Sequence, residues 1–361
     1  MSSILKNSPQ DKSPSPYTTY DKFPEGEPAK IAEGFWVLRQ PMLFNPGHIN
    51  CYLLEGENGL IIVDTGIPLN EAKTNWKALF KSPLAAKGID KIYLTHGHPD
   101  HVGCAQWLQE ETGAKVLISD EEYDAVQRMW RGSSDHKEEV TDFFMKWSIP
   151  AAQMSGITSM LDGFKAGCPD LSLVECEKIS ENQVFNIGSR EWKMVSGWGH
   201  TPHNSALYCE NDGIMISGDQ ILPSIYPNIS IWWGSEDNPL QAYLDSIQSQ
   251  KALDVKLVCP AHGNTLESVN QRIDNITRFH LKRIHKAIEF CKGEPKTAFE
   301  CILPVMNKKP DHFLVSLVAG QVFAILALLE GKGIVERCDD EVFRFKTVLS
   351  DDDIQQRIGL D

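Results

Sequence analysis

The chain has 361 residues, more than one ordinary hydrophobic core accommodates, so more than one domain is expected. Apolar residues make up 42% and charged residues 23%, which excludes a disordered chain. Acids outnumber bases by 49 to 35, and a net charge of −14 argues against general binding to nucleic acid or anionic membranes.

Residues 1–30 are rich in Ser, Pro, Lys and Glu and read as a flexible arm. No apolar run of signal-peptide length occurs there. From residue 34 the pattern changes. Residues 35–39, 49–55 and 60–64 read as strands, with a hairpin turn at 56–59. Residues 70–80 read as a helix. A strand at 91–95 runs into His96, and a helix follows over 99–111 with Pro99 near its start. Residues 115–118 form the next strand. Residues 121–163 then interrupt the alternation as a helical insert, with helices at 122–130 and 138–147.

Strands return at 192–196, 206–209, 213–217 and 257–259, with a helix at 240–250. After Gly263 the pattern is mostly helical, at 266–291, 297–306 and 312–330. Runs at 334–336 and 342–346 flank Asp339 and Asp340 as a β-hairpin. Three helices and a hairpin resemble a winged helix. The predicted organisation is an arm (1–30), a main domain (31–264) carrying the insert, and a C-terminal winged-helix-like domain (265–361). The best membrane candidate, 313–329, is broken by Ser316, Gly320 and Gln321, so no membrane association is expected. Nine cysteines without CxxC spacing point to free thiols and a cytoplasmic location.

The chemistry concentrates at residues 95–103, Thr-His-Gly-His-Pro-Asp-His-Val-Gly. Three of only 11 histidines and one Asp fall between His96 and His101. Imidazole and carboxylate are ligands for zinc, iron or manganese. His96 and His98 can face one metal from a loop, while Asp100 and His101 open the next helix toward a second. Remote partners follow later strands: His200 in Gly-Trp-Gly-His-Thr-Pro, Asp219 in Ser-Gly-Asp, and His262 in Pro-Ala-His-Gly.

This HxHxDH run, then a lone His, then Ser-Gly-Asp, then a terminal His resembles the metallo-β-lactamase superfamily over residues 34–264. Asp64 in Val-Asp-Thr-Gly matches the family's early Asp. The resemblance implies an α+β fold, an αββα sandwich with the metals at one edge. It implies that His96, His98 and His200 hold one divalent ion, that Asp100, His101 and His262 hold another, and that Asp219 bridges them. Asp64 would orient loop backbone or a ligand ring. Zinc is the default ion, and iron or manganese suits the same donors. A water shared by two dications becomes acidic enough to supply hydroxide near neutral pH, which attacks a carbonyl or phosphorus. Either Asp100 or Asp219 relays the proton.

Departures from individual family members narrow the substrate. True β-lactamases commonly lack the bridging Asp and need export. Hydroxyacylglutathione hydrolases continue the third motif with a Gly absent from His200-Thr201-Pro202-His203. The favoured reading is hydrolysis of a small-molecule ester, thioester or lactone. An endoribonuclease acting on single-stranded RNA is the alternative, although nucleic acid is disfavoured by charge. A non-catalytic binding protein and a mononuclear persulfide-oxidising iron enzyme are further alternatives. The aromatic and Met residues of the insert (Tyr123, Met129, Trp130, Phe143, Phe144, Met145, Trp147, Met154, Met160) form either a packed satellite core or a substrate wall. Tyr226, Asn228 and Trp232 are candidates for lining the cleft, and His48 and Asn50 are candidates either for lining it or for structural hydrogen bonds. The apolar C-terminal helices are compatible with a homodimer.

Overall fold

The computed structural model describes residues 22–130, 136–307, 315–339 and 341–358. Two sheets pack face to face. The first has seven strands in chain order: β1 (Pro28–Ala32), β2 (Phe35–Pro41), β3 (His48–Glu55), β4 (Leu60–Val63), β5 (Ile89–Tyr93), β6 (Lys115–Ser119) and β7 (Cys176–Ile179). Pairing is antiparallel from β1 to β4 and parallel from β4 to β7. The second sheet runs β12-β11-β10-β9-β8, built from β8 (Val184–Ile187), β9 (Arg190–Gly197), β10 (Asn204–Cys209), β11 (Ile214–Gly218) and β12 (Leu257–Pro260).

Alternation along the strands creates three cores. On β3, Ile49, Cys51 and Leu53 face outward toward α1 (Asn70–Phe80), α2 (Pro99–Val102) and α3 (Ala105–Thr112), beneath Trp76, Val102 and Leu108. Tyr52 and Leu54 face inward, where Phe35 meets Trp192 of β9 with ring centroids 5.9 Å apart. The other face of the second sheet, with Ala206, Tyr208, Met215 and Val258, is covered by α7 (Pro239–Gln250) and the C-terminal helices.

The insert comprises α4 (Asp120–Ala125), a π-helical turn at Val126–Trp130, α5 (His136–Lys146) and α6 (Met154–Gly167). Helix α6 was not expected from sequence. Gly156, Gly163 and Gly167 lower its intrinsic propensity, and burial of Met154, Ile157, Met160 and Leu161 overrides them. The C-terminal segment holds α8 (Val269–Phe290), α9 (Ala298–Met306), α10 (Val315–Gly331) and α11 (Asp351–Ile358). A small sheet, β13-β15-β14, joins β13 (Lys296–Thr297), β14 (Val335–Asp339) and β15 (Arg344–Thr347).

Two expectations need correction. The arm does not extend to residue 30, because Pro28–Ala32 is an edge strand and Phe23 is buried under it. Residues 1–21 lie outside the described residues. The C-terminal segment also does not keep a core of its own. Trp147 of the insert stacks on Phe323 of α10 at 4.4 Å, and one apolar cluster runs through the insert, α7 and the C-terminal helices. Helix α10 is apolar all round because it is enclosed within this cluster. The predicted start of that helix at 312–314 lies outside the described residues, as does Asp340 of the predicted hairpin. No helix among the described residues is long and apolar enough to cross a membrane.

The contact between the sheets depends on large side chains. Trp192→Ala is expected to cost about 3–5 kcal/mol, read as a lower midpoint in urea unfolding. A loss below about 1 kcal/mol would show that the sheets are not held together there.

Candidate metal centre

Four of the predicted donors lie just beyond the end of a strand, and the two sheets bring these ends to one edge. His96 follows β5, His200 follows β9, Asp219 follows β11, and His262 follows β12. Asp100 and His101 lie in the single turn of α2, opened by Pro99. The donors form two groups, His96, His98, His200 and Asp219, and Asp100, His101 and His262; within each, the donor atoms lie within 4.8 Å of one another.

Asp219 faces both groups. Its Oδ2 is 3.4 Å from His200 Nε2, and its Oδ1 is 3.4 Å from His262 Nε2 and 3.7 Å from His101 Nε2. Asp100 Oδ2 lies 3.3 Å from His262 Nε2 and 3.7 Å from His101 Nε2. In His200 and His262, Nδ1 donates to backbone carbonyls, of Asn228 at 3.0 Å and of His48 at 2.8 Å. A carbonyl can only accept, so each Nδ1 carries a hydrogen, and Nε2 is the nitrogen that faces the centre. Asp64 Oδ2 engages His101 Nδ1 at 2.8 Å. The buried His101 Nε2, His200 Nε2 and Asp219 Oδ1 find no hydrogen-bond partner among the described residues. Inward ring nitrogens and a carboxylate oxygen without partners are what a pair of divalent cations would satisfy.

The carboxylates also govern the protonation of the bare centre. Burial opposes charge on His101, but the Asp64 and Asp100 carboxylates outweigh it and raise its pKa to about 9. Asp219 and Asp100 likewise hold His262 well above the ordinary range against burial. His98 falls to about 3 through burial and the neighbouring His200. The carboxylates thus draw positive charge into the site.

Asp64 has a left-handed backbone, φ 61°, at the end of β4. Its carboxylate accepts from Thr95 N at 2.8 Å as well as engaging His101, so it ties the start of the His96 loop to α2.

Of the two roles open to His48 and Asn50, the structural hydrogen-bonding one is seen. Asn50 Nδ2 donates to the carbonyls of Pro260 and Gly263, both at 2.9 Å, and its Oδ1 accepts from Arg39 Nε. His48 Nε2 accepts from Gly263 N at 3.0 Å. Both strap the His262 loop onto β3, because a loop passing between sheets must have its backbone groups paired. Tyr226, Asn228 and Trp232 do line a cleft above the donors, of about 420 Å³. Asn228 acts through its carbonyl on His200.

The insert contributes less to the cleft than to packing. Phe144, Trp147, Met154 and Met160 are buried, whereas Glu122, Ala125 and Phe164 reach the cleft. The side chains of Met129 and Trp130 lie outside the described residues.

Sequence reading missed Glu122. Ser119 caps α4 through Glu122 N, the spacing of a capping box, but the Glu122 carboxylate turns away from that role. It accepts from Gly97 N at 2.6 Å and His203 N at 2.7 Å, joining the His96–His98 loop to the loop after His200. Gly97 permits the approach, since a Cβ there would lie 3.0 Å from Glu122 Oε2 and 2.5 Å from Val126 Cγ2. Nothing in the acidic run 120–122 singled it out.

A family model, the metallo-beta-lactamase superfamily, matches residues 44–262. The chain belongs to that superfamily. A beta-lactamase domain protein from Burkholderia ambifaria is 29% identical, with a TM-score of 0.82 over 92% of this chain and 98% of that one. Among curated relatives, a beta-lactamase-like protein 2 homolog from Caenorhabditis elegans is 26% identical over 83% of this chain and 86% of its own. A probable metallo-hydrolase from Bacillus subtilis is 23% identical over 79% of this chain and 90% of its own. The chain is a metal-dependent hydrolase of this superfamily.

Burial raises the Glu122 carboxyl to about 7, although the N–H groups of His203 and Gly97 favour its anion. A carboxyl raised in the folded state gives stability that is complete below its ordinary 4.5 and lost as pH rises through about 7. Glu122→Gln removes this component. Between about pH 5 and 8 the metal-free variant is therefore expected to lose stability less steeply than the metal-free wild type, by urea unfolding. Equal slopes would show that the carboxyl is ionised throughout.

Proposed function

We propose that the chain hydrolyses an ester, thioester or lactone with an apolar, uncharged acyl part. The lining of the cleft carries this reading. Met42, Phe44, Phe164, Leu222, Ile225 and Leu317 give it apolar walls. Its charged members are carboxylates, Asp100, Asp219, Glu122 and Glu236, and no described lining residue is Lys or Arg. Outside the metal-binding groups the described lining offers no basic side chain to hold further phosphates of a polyanion, which disfavours RNA.

His96, His98 and His200 would hold one divalent cation, and Asp100, His101 and His262 a second, with Asp219 between them. We assign zinc from the imidazole and carboxylate donors. When bound, such a pair supplies Lewis acidity that polarises a carbonyl oxygen and makes water a stronger acid. The residues of the chain do the rest. Asp219 engages both groups with separate oxygens and fixes their spacing. Asp100 meets His101 and His262 through Oδ2, and we assign its Oδ1 the role of taking the proton of the attacking water and returning it to the leaving group. The apolar walls exclude bulk water and orient the acyl chain.

We read α8, α9 and α10 with the β14–β15 hairpin as a winged-helix-like unit that serves as a wall of the cleft. Its third helix is enclosed by apolar packing and does not present a nucleic-acid-reading face. We read the nine cysteines, spaced without a CxxC motif, as thiols of a reducing, cytoplasmic setting.

The test pairs elemental analysis with turnover of p-nitrophenyl esters, acyl thioesters, lactones, β-lactams and single-stranded RNA, beside Asp219→Ala. Two zinc ions per chain are expected, with turnover of one carbonyl class. Asp219→Ala is expected to lose at least the ~10–100-fold that even supporting substitutions cost at metal sites. Cleavage of RNA with no carbonyl turnover would overturn the proposal.

A further inference from the structure

The loop between Asp219 and α7 carries the Asn228 carbonyl that holds His200 Nδ1. Two C-terminal helices fix this loop. On α8, Arg272 donates from Nε to the Leu222 carbonyl at 2.6 Å and from Nη2 to the Ile225 carbonyl at 2.5 Å. On α10, the Gly320 carbonyl accepts from Ile231 N at 3.0 Å. Beside it, Ser230 Oγ donates to Asn228 Oδ1 at 2.9 Å. The approach at Gly320 leaves no room for a side chain. A Cβ there would lie 2.8 Å from Ser230 Cβ and 3.1 Å from the Ile231 carbonyl oxygen. Leu317 and Gln321, one turn before and one residue after, line the cleft. Gln321 is held to α8 by Arg283 Nη1 at 2.6 Å.

The other donor group is supported elsewhere. His101 leans on Asp64, and His262 on the His48 carbonyl. Among the described residues, neither of these two hydrogen bonds involves α8 or α10. We propose that Gly320 and Arg272 are positioning residues for His200, and through it for one of the two metal ions only. This rests on reading His200 as a ligand of the first ion. Both residues lie beyond position 262, where the superfamily match ends, so a segment outside that match sets the geometry of a ligand inside it. The energetic reason is direct. A ring whose outer nitrogen keeps its acceptor loses little freedom on binding a cation, whereas a ring that must first be ordered binds more weakly.

The test is zinc binding to the full-length, metal-stripped chain, by chelator competition, with thermal unfolding recorded on the same samples. Wild type is expected to bind two ions. Gly320→Ala is expected to weaken one of them by about 10–100-fold and leave the other within about threefold. Arg272→Lys, which cannot donate to both carbonyls in the same geometry, is expected to weaken the same ion. Gly331→Ala on the same helix is the control, because a Cβ there meets only Asn238 Nδ2, at 3.5 Å, and both affinities should hold. If Gly320→Ala fails to fold, Arg272→Lys decides the question. Equal weakening of both ions, or of neither, overturns the inference while leaving the metal centre intact. A wild-type chain that binds no zinc overturns the metal-centre reading and this inference with it.

Discussion

Three of the five candidate histidines at the centre are oriented by an acceptor behind the ring. The Asn228 carbonyl holds His200, the His48 carbonyl holds His262, and the Asp64 carboxylate holds His101. Those three acceptors come from three different parts of the chain, and much of the surrounding architecture keeps them in place. Asn50 and Arg39 hold the His262 loop against β3, Thr95 locks Asp64, and the C-terminal helices hold the loop that carries Asn228. A centre of this kind is defined as much by its hydrogen-bond acceptors as by its donors toward metal.

The cost of the arrangement is paid in backbone and burial. Asp64 adopts a left-handed conformation that most side chains avoid, and Glu122 keeps a carboxyl almost wholly out of water. Both are local departures from what propensity favours, and both lie where loops from separate strands must meet. Strain and buried charge of this sort persist where surrounding structure over-determines them.

Much of the fold was readable because strand alternation and helix starts are local signals. The helix at Asn70–Phe80 and the strands around the donors follow from apolar spacing. The donors were legible for a different reason: imidazole and carboxylate recur after successive strands, and that pattern survives without knowledge of distance. What was not legible depends on tertiary contact. Helix α6 forms despite three glycines because its apolar face is buried. Strand β1 was hidden in a polar, Pro-containing stretch and exists because β2 pairs with it. His48 and Asn50 face a strapped loop instead of the cleft, and nothing in their spacing distinguishes the two. Glu122 sits in an acidic run where its neighbours are solvated and it alone is enclosed.

The apolar cluster shared by the insert and the C-terminal helices has a consequence for how the molecule comes into being. Phe144 and Trp147 emerge in synthesis well before Phe323 and Phe345, the partners that cover them. Until α10 arrives, the nascent chain carries an uncovered aromatic surface on an otherwise completed sandwich. The final helices therefore act as the closing step of assembly, and a ribosome that stops early leaves a sticky intermediate in place of a smaller enzyme.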